Sequence, residues 1–317
     1  MTSLRPGGPE AFAVAAGIFI GSLTAIQSRA NGSLAIAVGS GLQAAVISFG
    51  VGLVLLTVLA AVSHRLRSTL IVLIRDIARG RVPWWQALGG VFGALFIFSQ
   101  SASVPTIGVA LFAVALVAGQ NSASLVVDAV GLGPRGRQPV SGFRVASAVL
   151  GILAIFVSVQ GRVGAGDLSI PVVLLVVATG IGVAVQQAVN ARIVARTGEP
   201  LMASYVTFIT GGMLLGLLLV VLVVAGAASA SPLPSSPAWL YLGGIIGSVW
   251  VATAAWVVGR VGVLALGLLT TAGQLLGALA LDLLLTDVVD GHLIVGMGMA
   301  FLAVGIAPGP RALLRRG

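Results

Sequence analysis

The chain has 317 residues, of which 58% are hydrophobic and only 8% charged, with a mean hydropathy of +1.13. Soluble domains carry about a quarter of their residues as charges, so the composition excludes a soluble globular protein and specifies an integral membrane one. The net charge of +9 comes from 17 arginines with no lysine; in so apolar a chain it belongs to loops at a membrane surface, and no nucleic-acid partner is expected.

Apolar runs able to cross a hydrocarbon core of about 30 Å, some 20 residues each, fall at 11–30, 42–62, 85–103, 106–127, 145–160, 170–190, 201–225, 239–258, 263–285 and 292–307. They are apolar all round, whereas barrel strands alternate over about ten residues, so the spans are helices. The first run follows Arg5 and leads into small residues, as a signal peptide does. Gln27 and Asn31 at its end recur deep inside the chain, which marks a retained helix. Between the second and third runs, Ser68–Arg79 has one apolar helical face followed by charges; it reads equally as an interfacial helix on anionic lipid and as a solvated loop. The third and fourth runs are separated only by a Ser101–Thr106 turn containing Pro105. The fifth and tenth are the shortest, so eight or nine helices is the alternative count. With no cysteine, disulfides and thiolate metal sites are excluded.

The chain is internally repeated. Residues Gly21–Leu56 lie over Gly180–Leu215 without a gap and match at 11 of 36 positions, including Gln27 with Gln186, Asn31 with Asn190 and Gly39 with Gly198. A second block, Pro83–Gly93, lies over Pro237–Gly247 and brings Gly119-Gln120 onto Gly273-Gln274 and Asp128 onto Asp282. A repeat on this scale means two copies of one unit, here 1–162 and 163–317.

Arginine then sets orientation, since cytoplasmic loops carry the excess of basic residues. With ten spans and the N-terminus inside, fifteen arginines fall on the cytoplasmic side and only Arg29 and Arg162 outside. The loop His64–Val82 holds five arginines and its counterpart Gly226–Pro237 none, so equivalent loops lie on opposite sides. The expected fold is all-α, ten transmembrane helices as two inverted-topology five-helix repeats, multi-pass, with both termini cytoplasmic.

Inverted repeats suggest transport by alternating access, and polar side chains at depth are the candidate solute ligands. Gln27 and Asn31 are spaced i, i+4 and share a helix face, as do Gln186 and Asn190. They either line a path or hydrogen-bond between helices as packing glue; a third reading has them mark helix ends, where Arg29 and Arg192 meet headgroups. Gln120 and Gln274 sit deep in their runs, each after a glycine, with Asn121 beside the first and Thr270 and Thr271 near the second. A single path requires Gln27, Gln120, Gln186 and Gln274 to converge on one central cavity. Asp128 and Asp282 are the acidic residues common to both copies and the candidate gate or coupling residues. Asp128 falls near the end of its helix, where the dipole disfavours an anion, so it needs a cation from Arg135, Arg137 or Arg144. Asp287, Asp290 and His292 read as a solvated outer loop in preference to an ion site.

Small-xxx-small spacings at Gly17/Gly21, Gly89/Gly93, Gly243/Gly247 and Gly273/Gly277 allow close helix approach, and Trp84, Trp85, Trp239 and Tyr241 read as interfacial anchors. No nucleotide loop, metalloprotease motif or nucleophile constellation is present, so neither enzymatic activity nor a catalytic cofactor or metal is expected.

Both halves resemble the YdcZ-type inner-membrane units of the drug/metabolite transporter superfamily. The shared pattern is a Gly-rich first helix ending in Q-x-x-x-N, an A-x-x-S/T-F-x-x-G second helix, and later G-Q followed by Asp. Here these are Gln27/Asn31, Ala45 to Gly52 with Ser48-Phe49, and Gly119-Gln120 with Asp128. In the second copy they are Gln186/Asn190, Ser204 to Gly211 with Thr207-Phe208, and Gly273-Gln274 with Asp282. The resemblance implies a bacterial cytoplasmic-membrane protein of ten helices that exports a small polar or amphipathic metabolite, a fusion of two units that singly pair as antiparallel dimers. A homodimer of the fused chain stays open, and the alternative function is a non-transporting protein with a lipid-handling or scaffold role.

Overall fold

The first apolar segment does not stop at Asn31. In the computed structural model of the protein, α1 runs Pro9–Val38 and is ended by Gly39 at φ +71°, where the N–H groups of Gly39 and Ser40 return to the carbonyls of Ile36 and Ala35. Its equivalent α6, Ile170–Thr197, ends the same way at Gly198, φ +65°. A left-handed cap favours glycine because a Cβ would crowd the preceding turn, which explains why this pair of glycines matches. The described residues are 9–134, 136–137, 139–160, 169–235, 237–261, 263–285 and 291–306, helical with no strand among them.

α2 spans Gly41–Val62 and is capped by Ser40, whose hydroxyl accepts from the Gln43 N–H at 3.2 Å. Ser63 repeats the device at the start of α3, His64–Ala78, four residues upstream of the expected amphipathic segment. α3 buries Leu66 and Leu73 and leaves Ile71 and Ile74 exposed, so it packs one apolar stripe on the protein and presents a second outward. A 3-10 turn at Trp84–Leu88 then leads into α4, Gly89–Val130.

At 1.5 Å per residue the 42 residues of α4 would extend about 60 Å, twice the hydrocarbon core. The direction changes at Gly108, φ 77° and ψ 167°, a conformation open in practice only to glycine. The expected break at Ser101–Thr106 is thus displaced. Proline at 105 deprives the helix of one N–H donor without ending it, and the glycine three residues on makes the turn.

α5 (Gly142–Gln160), α7 (Leu201–Val224), α8 (Leu242–Val261), α9 (Val263–Leu285) and α10 (Gly291–Ile306) complete the bundle. Six helical stretches among the described residues are long and apolar enough to cross a membrane: α1, α2, α6, α7, Trp84–Val130 and Ala238–Val261. Shorter apolar stretches lie in α5, α9 and α10.

The two halves interlock at glycines. A Cβ on Gly21 of α1 would lie 2.2 Å from the Thr270 carbonyl oxygen in α9, and one on Gly273 of α9 1.9 Å from that of Ile18. The equivalent pair, Gly180 of α6 and Gly119 of α4, would meet the carbonyls of Leu116 and Val177 at 2.1 and 2.0 Å. Backbones this close leave room for hydrogen only, the small-residue packing of membrane helices. Each half's first helix is therefore clamped to a helix of the other half.

Candidate functional site

Gln27 and Asn31 lie 11 and 7 residues before the end of a 30-residue helix, not at a helix end, so the reading that places them among headgroups is overturned. Both are buried, at 1% and 0% exposure, as are Gln186 and Asn190 at 2% each. What they rest on is the other half's glycine stripe. The Gln27 carboxamide sits on Gly247 and that of Asn31 on Gly243 of α8, while Gln186 sits on Gly93 and Asn190 on Gly89 of α4. Ascending α1 from 27 to 31 descends α8 from 247 to 243, so the helices run antiparallel.

The amides are partly satisfied. Gln27 Nε2 donates to the Gly243 carbonyl at 3.1 Å. Asn31 Nδ2 donates to Gln100 Oε1, and Gln100 Nε2 to Ser28 Oγ, both at 2.8 Å. In the second half Asn190 Nδ2 donates to Thr207 Oγ1 at 3.0 Å. Gln27 Oε1 and Asn31 Oδ1 remain without a partner.

Between the halves lies a small cavity lined by Gln27 and Gln186, Phe49 and Phe208, Gly93 and Gly247, Phe96 and Trp250, Ile97 and Val251, and Thr207. All but Thr207 are matched pairs from the two copies. The Phe49 and Phe208 rings lie 4.8 Å apart and those of Phe96 and Trp250 6.3 Å apart. The centre of a water molecule has about 20 Å³ to occupy, room for about one water. Trp250 Nε1 and Gln27 Oε1, both on cavity-lining residues, supply an unpaired donor and an unpaired acceptor. No lining side chain is charged.

Gln120 and Gln274 do not line this cavity. Gln120, Asn121 and Ser124 gather opposite Gly267 of α9, within 3.4–3.8 Å of where its Cβ would be. Gln274 is seven residues further along α9, about 10 Å. Gln120 Nε2, both amide atoms of Asn121, Thr271 Oγ1 and Gln274 Nε2 lack partners. The four glutamines thus occupy more than one place, and only the Gln27/Gln186 pair meets in the central cavity.

Asp128, 7% exposed near the end of α4, is held by Arg144 of α5, whose Nη2 lies 2.7 Å from Asp128 Oδ2 and whose Nη1 donates to the Pro139 carbonyl at 2.9 Å. Of the expected cations, Arg144 is bound to it and Arg137 is exposed; Arg135 lies outside the described residues. Asp282 belongs to α9, but its side chain lies outside the described set, as do Asp287 and Asp290 entirely. Between Asp282 and Pro310 the sequence has no Arg or Lys, so the following helix of the second copy offers no counterpart of Arg144.

The same end of α4 is tied a second time. Arg192 donates to the carbonyls of Gly131 and Leu132 at the end of α4 and stands 5.6 Å over the Trp85 ring, where a cation suits both the exposed carbonyls and the dipole. Arg196 donates to the Arg81 carbonyl at 3.0 Å, and Arg65 pairs with Glu199 at 3.5 Å. Away from this corner, Gln43 Oε1 accepts from the Ser231 N–H at 2.9 Å, holding the uncharged Gly226–Pro237 segment to α2. Sequence reasoning missed Gln100, Ser28 and Gln43; an amide inside an apolar run was the available signal for each glutamine.

Comparison with known proteins places this arrangement. The family described as "Putative inner membrane exporter, YdcZ" matches twice, over residues 12–157 and 171–307. The chain belongs to the YdcZ family. Each half is one YdcZ unit, so the protein is a tandem YdcZ-type member of the drug/metabolite transporter superfamily, in a family of inner-membrane exporters and not of enzymes. A solved structure described only as "Crystal structure of protein" shares the fold, with 20% identity, 97% of each chain covered and a TM-score of 0.60. No curated protein matches the YdcZ tandem.

Proposed function

We propose that the protein exports a small uncharged polar or amphipathic metabolite across the cytoplasmic membrane by alternating access of two inverted five-helix repeats. In this reading α4 crosses twice, bent at Gly108, which makes ten spans with both termini cytoplasmic. The antiparallel course of α1 against α8 supports inversion. α8 is the third span of the second copy, and an axis along the membrane normal would make it run parallel to the first span of the first copy, whereas an axis in the membrane plane reverses it.

The observation that carries the proposal is the shared cavity. Two glutamines from equivalent positions face one space walled by matched pairs, with amide hydrogen-bonding capacity and no charge. Uncharged walls favour a solute that needs hydrogen bonds and no counter-ion. Gln120, Asn121 and Gln274, with their unpaired amide atoms, are the residues we assign to a second stretch of the path. Asp128 and, in the second copy, Asp282 are the assigned gate or coupling positions, Asp128 through its ion pair with Arg144.

The test is movement of radiolabelled neutral metabolites in proteoliposomes, with and without a proton gradient. Gln27→Ala and Gln186→Ala should each lower transport of the recognised solute by about tenfold, the loss of one hydrogen bond to substrate that leaves a buried partner unpaired, while the protein stays folded. Flux unchanged in both variants, or the absence of any moved solute alongside a pure stability effect, would leave the amides as packing elements.

A further inference from the structure

The amphipathic helix α3 carries more apolar surface than the protein covers. With successive residues about 100° apart round a helix, Leu73, Leu66, Leu70, Ile74, Ala78 and Ile71 follow one another over an arc of about 160°. Leu66 and Leu73 are buried against the protein, while Ile71 and Ile74 are each 55% exposed. The exposed part lies beside the buried part and not opposite it. A helix that packs on a protein and turns its outer face to water has polar residues beyond the contact; here the apolar arc runs on past it. Arg67, the charge within the arc, reaches back to the Ala61 carbonyl at the end of α2.

The bilayer reaches this helix. α2 is long and apolar enough to cross the membrane, and its Val54, Val58 and Val62, at i, i+4 spacing, are exposed down to its last turn. α3 starts two residues later at His64, at the level where the hydrocarbon ends. Its remaining surface is basic. Of the five arginines in His64–Val82, Arg65 pairs with Glu199 at 3.5 Å and Arg81 with Asp76 at 3.4 Å. The side chains of Arg75 and Arg79, exposed next to Ile71 and spaced i, i+4, have no partner among the described residues. The equivalent loop of the second copy, Gly226–Pro237, holds no charge.

We propose that α3 is an interfacial helix that binds anionic phospholipid, with Ile71, Ile74 and Ala78 in the acyl boundary and Arg75 and Arg79 on the phosphates of neighbouring headgroups. Apolar area anchors such a helix, and basic residues at its edge select anionic lipid. A guanidinium suits this ligand because it pairs with a phosphate in two-point geometry. Val72 fixes the rotation. It is also exposed, but it lies about 160° round the helix from Ile74, in a polar groove with Asp76, Arg196 and Thr197, and stays in water. Binding of this kind requires a membrane-inserted chain and neither transport nor a particular leaflet.

The chain has no cysteine, so Ile71→Cys, Ile74→Cys or Val72→Cys in the full chain carries one nitrobenzoxadiazole label at a unique place. The labelled proteins are held in nanodiscs of phosphatidylcholine with a minor share of phosphatidylglycerol, and each must keep the parent's circular dichroism. Labels at 71 and 74 should be quenched by lipid brominated near the headgroup end of its acyl chain and shielded from aqueous iodide. The label at 72 should behave in the opposite way. With bromine on one lipid at a time and equal mole fraction, brominated phosphatidylglycerol should quench the label at 74 more strongly than brominated phosphatidylcholine. Arg75→Gln and Arg79→Gln should each lower that preference by up to about fivefold, the factor one arginine near the surface contributes, and molar salt, with a Debye length of about 3 Å, should abolish it. Iodide reaching 71 and 74 as readily as 72 would make α3 a solvated helix, and shielding from both quenchers would mean that another protein surface covers it. Equal quenching by the two brominated lipids, or a preference that survives loss of both arginines, would remove the headgroup site; each of these results overturns the proposal.

Discussion

Gly243→Ala is the sharpest probe of how the amides are seated. A Cβ at this position would lie 2.0 Å from Asn31 Oδ1 and 2.7 Å from its Cγ, well inside van der Waals contact, so the carboxamide must leave. Leaving breaks the Asn31–Gln100 hydrogen bond and loosens the Gln100–Ser28 bond that depends on it. Side-chain hydrogen bonds within membranes average about 0.6 kcal/mol and reach about 1.7, so the two together account for roughly 1–3 kcal/mol. Overpacking adds about 1–3 kcal/mol, for a total of roughly 2–6 kcal/mol. The assay is equilibrium unfolding in mixed micelles, followed by circular dichroism. Asn31→Ala combined with Gly243→Ala should be more stable than Gly243→Ala alone, because the shortened residue vacates the contested space. Gly50→Ala in α2, where a Cβ would meet nothing within 4 Å, should be neutral or stabilising by about 0.5–1 kcal/mol. A neutral Gly243→Ala, or a double variant no better than the single, would refute the seating.

Removing Arg144 as Arg144→Met takes this ion-pair partner from the buried Asp128 carboxylate and should destabilise by up to about 3–5 kcal/mol in the same unfolding assay. Asp128→Asn combined with Arg144→Met should recover most of that loss, since no buried charge is left. Gly108→Ala should destabilise by about 1–3 kcal/mol, because no other residue adopts this backbone conformation without strain; accessibility of engineered cysteines on either side of residue 108 would report a changed bend.

Several features were legible because they depend on composition and repetition. Membrane insertion follows from hydrophobic content, since lipid accepts helices whose side chains are apolar all round. Gly39 and Gly198 were visible as a matched pair, and their role as left-handed caps follows from local backbone geometry. The amide pairs and the glycine stripes were each visible too, but as unrelated facts. That Gln27 and Asn31 sit on Gly247 and Gly243 depends on which helix lies opposite, and spacing along one helix carries no information about its neighbour.

The bend in α4 shows the same limit from another side. Pro105 was the louder signal, yet the helix passes through it and turns at Gly108, because membrane helices around a proline can recover the lost bond through local adjustment. Likewise the partner of Asp128 was narrowed by sequence to three arginines; chain direction after Gly131, set by packing of α5 against α4, brought Arg144 to it.

By itself, then, the sequence determined that this is a doubled membrane protein of the YdcZ kind with uncharged polar groups in its spans, because hydropathy, repeat and local caps are properties of a chain read in order. Only the tertiary structure decided that two of the four glutamines share one cavity and that each rests on the other half's glycines. Those are distances between residues up to 216 positions apart, set when two nearly alike halves pack through their smallest side chains.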